Sequence, residues 1–242
     1  MLWLRTPRCL AAVAFVLAAC SAPQSGPHGW PLVYSQDFDA ADSEQQFEFT
    51  DAKAWRRTVE GSHGWLEQFA QCAYEPRYRS PLNLAILRTP SFGDFVLEAR
   101  LRQTGKEYPH RDMCVVFAFR DAEHFCYAHL ASTADDNAHH VQRVDGAPRT
   151  PVTTSRTRGV DWGADRWLPL RVERSGASVR VWLGDAREPQ LVADGTAPGD
   201  GWIGFGTFDD TGAVDDIRIW APSSRAETTV GFGARAKQPT QP

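Results

Sequence analysis

"MCVVFAFRDAEHFCYAHL", residues 113–130, reads as two strands joined by a tight turn. The strands are expected at 113–120 and 124–131, with Asp121 to Glu123 turning the chain. The first strand is apolar on both faces, which places it inside a sheet covered on both sides. In the second, Phe125, Tyr127 and His129 share one face. His124, Cys126, Ala128 and Leu130 share the other.

Working outward, the same period of two recurs. In DFVLEARLRQ, Phe95, Leu97, Ala99 and Leu101 oppose Glu98, Arg100 and Arg102. In SVRVWLG, Val179, Val181 and Leu183 oppose Arg180 and Trp182, and in VDDIRIW, Ile217 and Ile219 oppose Asp216, Arg218 and Trp220. Such alternation marks half-buried strands. Turn signals such as VDGAP, ERSGAS, APGDG and DDTGA separate them. Helical periodicity is almost absent, and no internal repeat suggests a propeller. The expected fold is all-β: a two-sheet antiparallel jelly-roll sandwich.

The first residues, MLWLRTPRCLAAVAFVLAACS, combine Arg5 and Arg8 with a short apolar run, the pattern of a signal peptide over residues 1–19. Leu17-Ala18-Ala19-Cys20 resembles the bacterial lipobox, which implies lipidation at Cys20 and a membrane anchor in the cell envelope. Ser21 after the cysteine favours the outer membrane over the inner. Residues 20–31, rich in Pro, Ser and Gly, read as a tether. Residues 32–220 read as the folded domain, and 221–242 as a flexible tail. The chain has 242 residues and a net charge of −4, without a basic block, so nucleic acid is excluded as an expected partner. Beyond Cys20, the expected mature chain holds Cys72, Cys114 and Cys126, too few for a disulfide framework. The hairpin register separates Cys114 from Cys126 by too much for a bond, whereas Cys72 could pair with either.

VYSQDFD (33–39), FRDAEHFCYAHL (119–130), RWLPLRVERSGASVRVWLG (166–184) and GWIGFGTFDDTGAVDDIRIW (201–220) stand in the order seen in concanavalin A-like lectin/glucanase jelly rolls. More narrowly, residues 32–220 resemble the bacterial laminin G-like and 3-keto-disaccharide hydrolase-like domains. The resemblance implies carbohydrate as partner. It leaves open a binding module, a glycan-processing enzyme (3-keto-glycoside hydrolase or polysaccharide lyase) and a structural or adhesion module. It also implies a structural calcium beside the first and last strands, where Asp37, Asp39, Asp215 and Asp216 offer hard oxygens, with Asp37 and Asp216 as candidate ligands. An aspartate-rich turn is the plainer reading of FDDTG.

Four of the seven histidines lie between residues 124 and 140. On regular strands His124 and His129 point opposite ways, and so do the adjacent His139 and His140. A zinc site would need two of them with Asp135 or Asp136. A sugar or acid/base site would use Tyr127, His129 and His140 as catalytic groups. His139, Tyr74, Arg77 and Arg79 would then contact the ligand. Histidines that are ordinary hydrogen-bonding residues remain the third reading. The E-x-D-x-E run of jelly-roll glucanases is absent from the sequence. A lyase set of Tyr127, His129 and Arg143 or Arg79 is conceivable. The tryptophans Trp65, Trp162, Trp167, Trp182 and Trp202 read as core or edge packing. A binding face is therefore expected where Tyr127 and His129 emerge into a hollow.

Overall fold

The computed structural model describes residues 26–196, 199–229 and 231–232. The signal peptide, Cys20 and the tether up to residue 25 lie outside the described residues, as does the tail from residue 233.

Two antiparallel sheets face each other. The larger runs from edge to edge as β12 (Thr153–Arg156), β15 (Leu191–Ala193), β14 (Ser178–Leu183), β13 (Trp167–Ser175), β7 (Phe95–Gln103), β17 (Gly212–Trp220), β4 (His63–Gln68) and β3 (Trp55–Glu60). Its ninth strand, β1 (Leu32–Gln36), pairs with the distal half of β17. The smaller sheet runs β11 (Thr150–Pro151), β10 (Val141–Asp145), β9 (His124–Ala131), β8 (Asp112–Asp121), β16 (Trp202–Thr207), β5 (Asn83–Leu87) and β2 (Phe47–Phe49). A separate pair joins β6 (Ser91–Phe92) to β18 (Ser224–Arg225). The architecture is a two-sheet antiparallel jelly-roll sandwich.

The alternation explains the layers. Leu97, Leu101, Leu170, Val172, Val181, Ile217 and Ile219 point inward from the larger sheet and meet Val115, Phe117, Cys126, Ala128, Leu130 and Phe205 from the smaller. Each Val, Leu, Ile or Phe among them stabilises the fold by about 1.5–3 kcal/mol when fully buried. At one end, Asn83 ties β5 to Thr207 Oγ1 and the Phe208 carbonyl, and Thr207 Oγ1 donates to Gln68 Oε1 on the opposite sheet. Glycine is required in β16: a Cβ on Gly206 would sit 1.9 Å from the Asn83 carbonyl oxygen of β5.

The smaller sheet is apolar on its outer face too. Leu84, Ile86, Cys114, Val116, Phe119, Phe125, Tyr127, Trp202 and Phe208 form a second cluster there. Two segments read as irregular cover it. Tyr78 of the 69–82 loop packs on the cluster, as does Phe232. Phe232 lies with its ring 5.4 Å from Phe119 and 5.6 Å from Tyr74. The tail expectation is thus corrected for its described part. After β18, the Glu227 carbonyl accepts from Trp202 Nε1 at 3.1 Å, and Thr229 N donates to the Arg88 carbonyl at 2.8 Å. The end of the tether is likewise held, with the Gly26 backbone packed against Trp220 and His28 Nε2 at 3.5 Å from Glu173.

Candidate functional site

The expected hollow at Tyr127 and His129 is filled. The side chains do share a face, with ring centroids 6.4 Å apart. That face is β8's apolar one, because Tyr127 pairs with Val116 and His129 with Cys114. Tyr127 is fully buried, its hydroxyl accepting from Arg149 Nη1 at 3.1 Å. Burial pushes its phenol well above the usual range. His129 is 5% exposed. Its ring packs 4.9 Å from Phe208, and its Nε2 lies 2.6 Å from Asp112 Oδ2. A group sealed in this way has no route to a sugar, so the catalytic assignment of Tyr127 and His129 is corrected to a packing and hydrogen-bonding role.

His140 belongs to the same correction. It is buried against Thr153 Oγ1 at 3.1 Å and takes a hydrogen bond from Arg156 Nη1 at 2.6 Å. Burial, aided by the Arg156 charge, lowers its pKa. His139 has no exposure and reaches Thr157 Oγ1 at 3.0 Å, and burial pulls its pKa to about 4. Both imidazoles therefore sit neutral inside the structure at neutral pH. Tyr74, Arg77 and Arg79 lie on the segment that closes over the Tyr127 face. Arg77 pairs with Glu123 at 3.3 Å, and Arg79 stands 5.9 Å above Phe208. They form a cover rather than a groove wall. Arg143 pairs with Cys126 in register, which puts it on the face opposite Tyr127.

The aspartates read as calcium ligands are engaged separately. Asp37 Oδ1 accepts from Asp39 N at 3.1 Å, and Asp216 Oδ2 lies 3.5 Å from Arg100. Among the described residues, the group of potential metal ligands that come together is Asp112, Cys114 and His129. The Asp112–His129 contact there is a hydrogen-bond distance, and burial keeps the Cys114 thiol protonated. Cys72, Cys114 and Cys126 are all free. Cys114 and Cys126 lie on opposite faces of the smaller sheet, as members of its outer and inner clusters.

The open face belongs to the other sheet. Across four adjacent strands, register aligns Trp182 of β14, Arg171 of β13, Glu98 of β7 and Arg218 of β17. All point away from the core, because Val181, Val172, Leu97 and Ile219 beside them point in. Beyond the intervening Arg100 row, a third row carries Trp167, Arg102, Ala213 and Glu67. Arg102 lies 4.8 Å above Trp167 and 5.0 Å above Trp65, and the two indoles meet edge to face at 6.3 Å. Trp167 and Trp182 are therefore partly exposed on the outer face, and the expectation of core or edge packing is corrected for these two, whereas Trp65 is buried there beneath Arg102. Trp162, by contrast, is core.

This face holds an open groove of about 620 Å³. Trp182, Arg171, Arg187, Glu98, Arg100 and Arg218 line it, with Asp216 at the β17 end. Arg171 bridges Glu98 and Glu173, and Arg100 approaches Asp216. Asp216 sits at a bulge with φ of 50°, where β17 shifts register against β7. Just before it, Asp215 is fully buried, with His63 Nε2 3.0 Å away, and burial raises its pKa. A partly exposed indole beside planar guanidinium and carboxylate forks can stack one flat ligand face and hydrogen-bond its rim.

No family model and no curated protein matches the chain. Solved structures do resemble it. The carbohydrate-binding module CBM66 from Bacillus subtilis superposes with a TM-score of 0.52 at 12% identity, over 73% of this chain and 96% of that one. A GH43 protein, BlXynB, from Bacillus licheniformis gives 0.52 at 11% identity, over 77% of this chain and 39% of that one. A protein of unknown function with a galectin-like fold, also from Bacillus subtilis, gives 0.50 at 11% identity, over 81% and 97%. Likeness at these identities shows the fold.

Proposed function

We propose that the protein binds carbohydrate through the open face of its nine-stranded sheet, in the groove beside Trp182. The observation that carries the reading is the row Trp182–Arg171–Glu98–Arg218, an aromatic platform continued by polar forks across a groove open to solvent. Pyranose rings offer an apolar face and a rim of hydroxyls, which matches that pairing. Each groove carboxylate is already engaged by an arginine, Glu98 by Arg171 and Asp216 by Arg100, which suits holding a ligand more than protonating one. A neighbour in fold is itself named a carbohydrate-binding module, which supports the same reading.

The place of action follows from residues outside the described structure. The leader and the Leu17-Ala18-Ala19-Cys20 sequence support a lipid anchor in a bacterial cell envelope, with the outer membrane favoured. The experiment is a glycan array probed with the mature domain, followed by calorimetric titration of the best hit. Trp182→Ala is expected to weaken that hit roughly tenfold or more. An array with no hits contradicts the reading and leaves a structural module. Metabolic labelling with a fatty acid, abolished by Cys20→Ala, tests the anchor.

A further inference from the structure

We infer that the ligand of the Trp182 groove is an acidic oligosaccharide, one whose sugar units carry carboxylates. The inference rests on the carbohydrate reading above and adds the charge of the ligand. Four guanidiniums line the groove, from Arg100, Arg171, Arg187 and Arg218, against two carboxylates, from Glu98 and Asp216. The chain as a whole carries a net charge of −4. A locally positive groove on an acidic protein runs against its own composition and attracts anions.

The four arginines are not equivalent. Arg171 is held between Glu98 and Glu173, and Arg100 lies beside Asp216 and 4.0 Å from Asp215. Arg187 and Arg218 have no ion pair among the described residues. Both line the groove, Arg218 on β17 and Arg187 on the connection after β14. Three strand spacings, roughly 14 Å, separate β14 from β17. A groove that crosses these strands and carries two uncompensated guanidinium forks fits an extended chain with repeated anionic groups better than one small anion. Between them the Arg171–Glu98 pair and the Trp182 ring offer contacts for hydroxyls and a ring face. A guanidinium fork can meet a planar carboxylate with two parallel hydrogen bonds.

The test uses the full mature chain and two probes: oligogalacturonate, and the oligosaccharide of equal length made by reducing its carboxyls. Titration calorimetry at low and high salt is expected to show about a tenfold or greater preference for the acidic oligomer, shrinking as salt rises. Both free arginines are exposed. Arg187→Gln combined with Arg218→Gln is therefore expected to leave the melting temperature unchanged and to remove that preference, the acidic oligomer losing affinity by a much larger factor than the reduced one. Equal affinity for both probes, with both lost in Trp182→Ala, overturns the inference while the carbohydrate reading stands. Tighter binding of a sulfated oligosaccharide overturns the choice of carboxylate. No binding of either probe overturns the inference, and the glycan array then decides the wider reading separately.

Discussion

Arg171 donates from Nη1 to Glu98 Oε1 at 2.8 Å across the β13–β7 pair, while its Nε holds Glu173 of its own strand at 2.8 Å. One guanidinium thus holds the groove carboxylate Glu98 and, beside the groove, Glu173, and it sits directly beside Trp182 in register. All three partners are partly open to water, so their ion pairs contribute little to folding. Arg171→Met is therefore expected to change stability by no more than about 1 kcal/mol in chemical denaturation. The same variant leaves Glu98 without its arginine at the groove and is expected to weaken glycan binding severalfold. A large loss of stability with unchanged affinity would assign Arg171 to the scaffold instead.

His129 and Asp112 behave in the opposite way. Both are almost fully buried, and their 2.6 Å contact is sealed under Phe208. Removing one partner leaves a polar or charged group without compensation. His129→Ala is expected to destabilise the protein by about 3–5 kcal/mol. Below its lowered melting temperature, that variant is expected to bind glycan as the parent does. Reduced affinity in a folded His129→Ala protein would restore the Tyr127 face as a site.

Two buried groups, Asp210 and His139, act against each other in the pH dependence of stability. Burial, with the Asp112 carboxylate nearby, raises the Asp210 pKa to about 6, so its contribution is complete below about pH 4 and lost as pH rises through 6. Burial lowers the His139 pKa to about 4, so its contribution is complete above about pH 6.5 and lost as pH falls through 4. The slopes oppose each other between about pH 4 and 6. Asp210→Asn is expected to unmask a stability that falls on acidification. His139→Asn, chosen because asparagine tolerates the φ of 60° there, is expected to unmask one that falls on alkalinisation. Urea midpoints across this range check both. Parallel curves for the parent and the two variants would show that neither group governs the range.

Truncation probes the strap. A chain ending at Ser223 loses the Trp202–Glu227 hydrogen bond and the Phe232 ring over Phe119. It is expected to melt at lower temperature and to bind a hydrophobic dye at the uncovered apolar face, with glycan affinity retained. An unchanged melting temperature would show that the strap contributes nothing to stability.

The reading of the sequence located the strands well because alternation is local. The β8–β9 hairpin, the outward set Glu98, Arg100 and Arg102, and the pairing of Arg180 with Trp182 on one face are all written in neighbouring residues. The site was misplaced because exposure is not local. Whether Tyr127 meets water depends on Phe208, Arg149, the 69–82 loop and Phe232, all distant in the chain. One local signal was nevertheless present. MCVVFAF is apolar on both faces, and its outer residues Cys114 and Val116 pair with His129 and Tyr127. A strand covered on both sides implies that its hairpin partner is covered too. Trp182 lay on the polar face of SVRVWLG, and an indole among arginines on an outward row was the mark of the open face.

On the proposed function, sugar meets this protein at Trp182 and not at Tyr127. The most direct measurement is titration of the best array glycan into two folded variants, Trp182→Ala and Tyr127→Phe, followed by calorimetry. The account predicts roughly tenfold or greater loss of affinity in the first and parental affinity in the second. Parental binding by Trp182→Ala together with lost binding by Tyr127→Phe would contradict it.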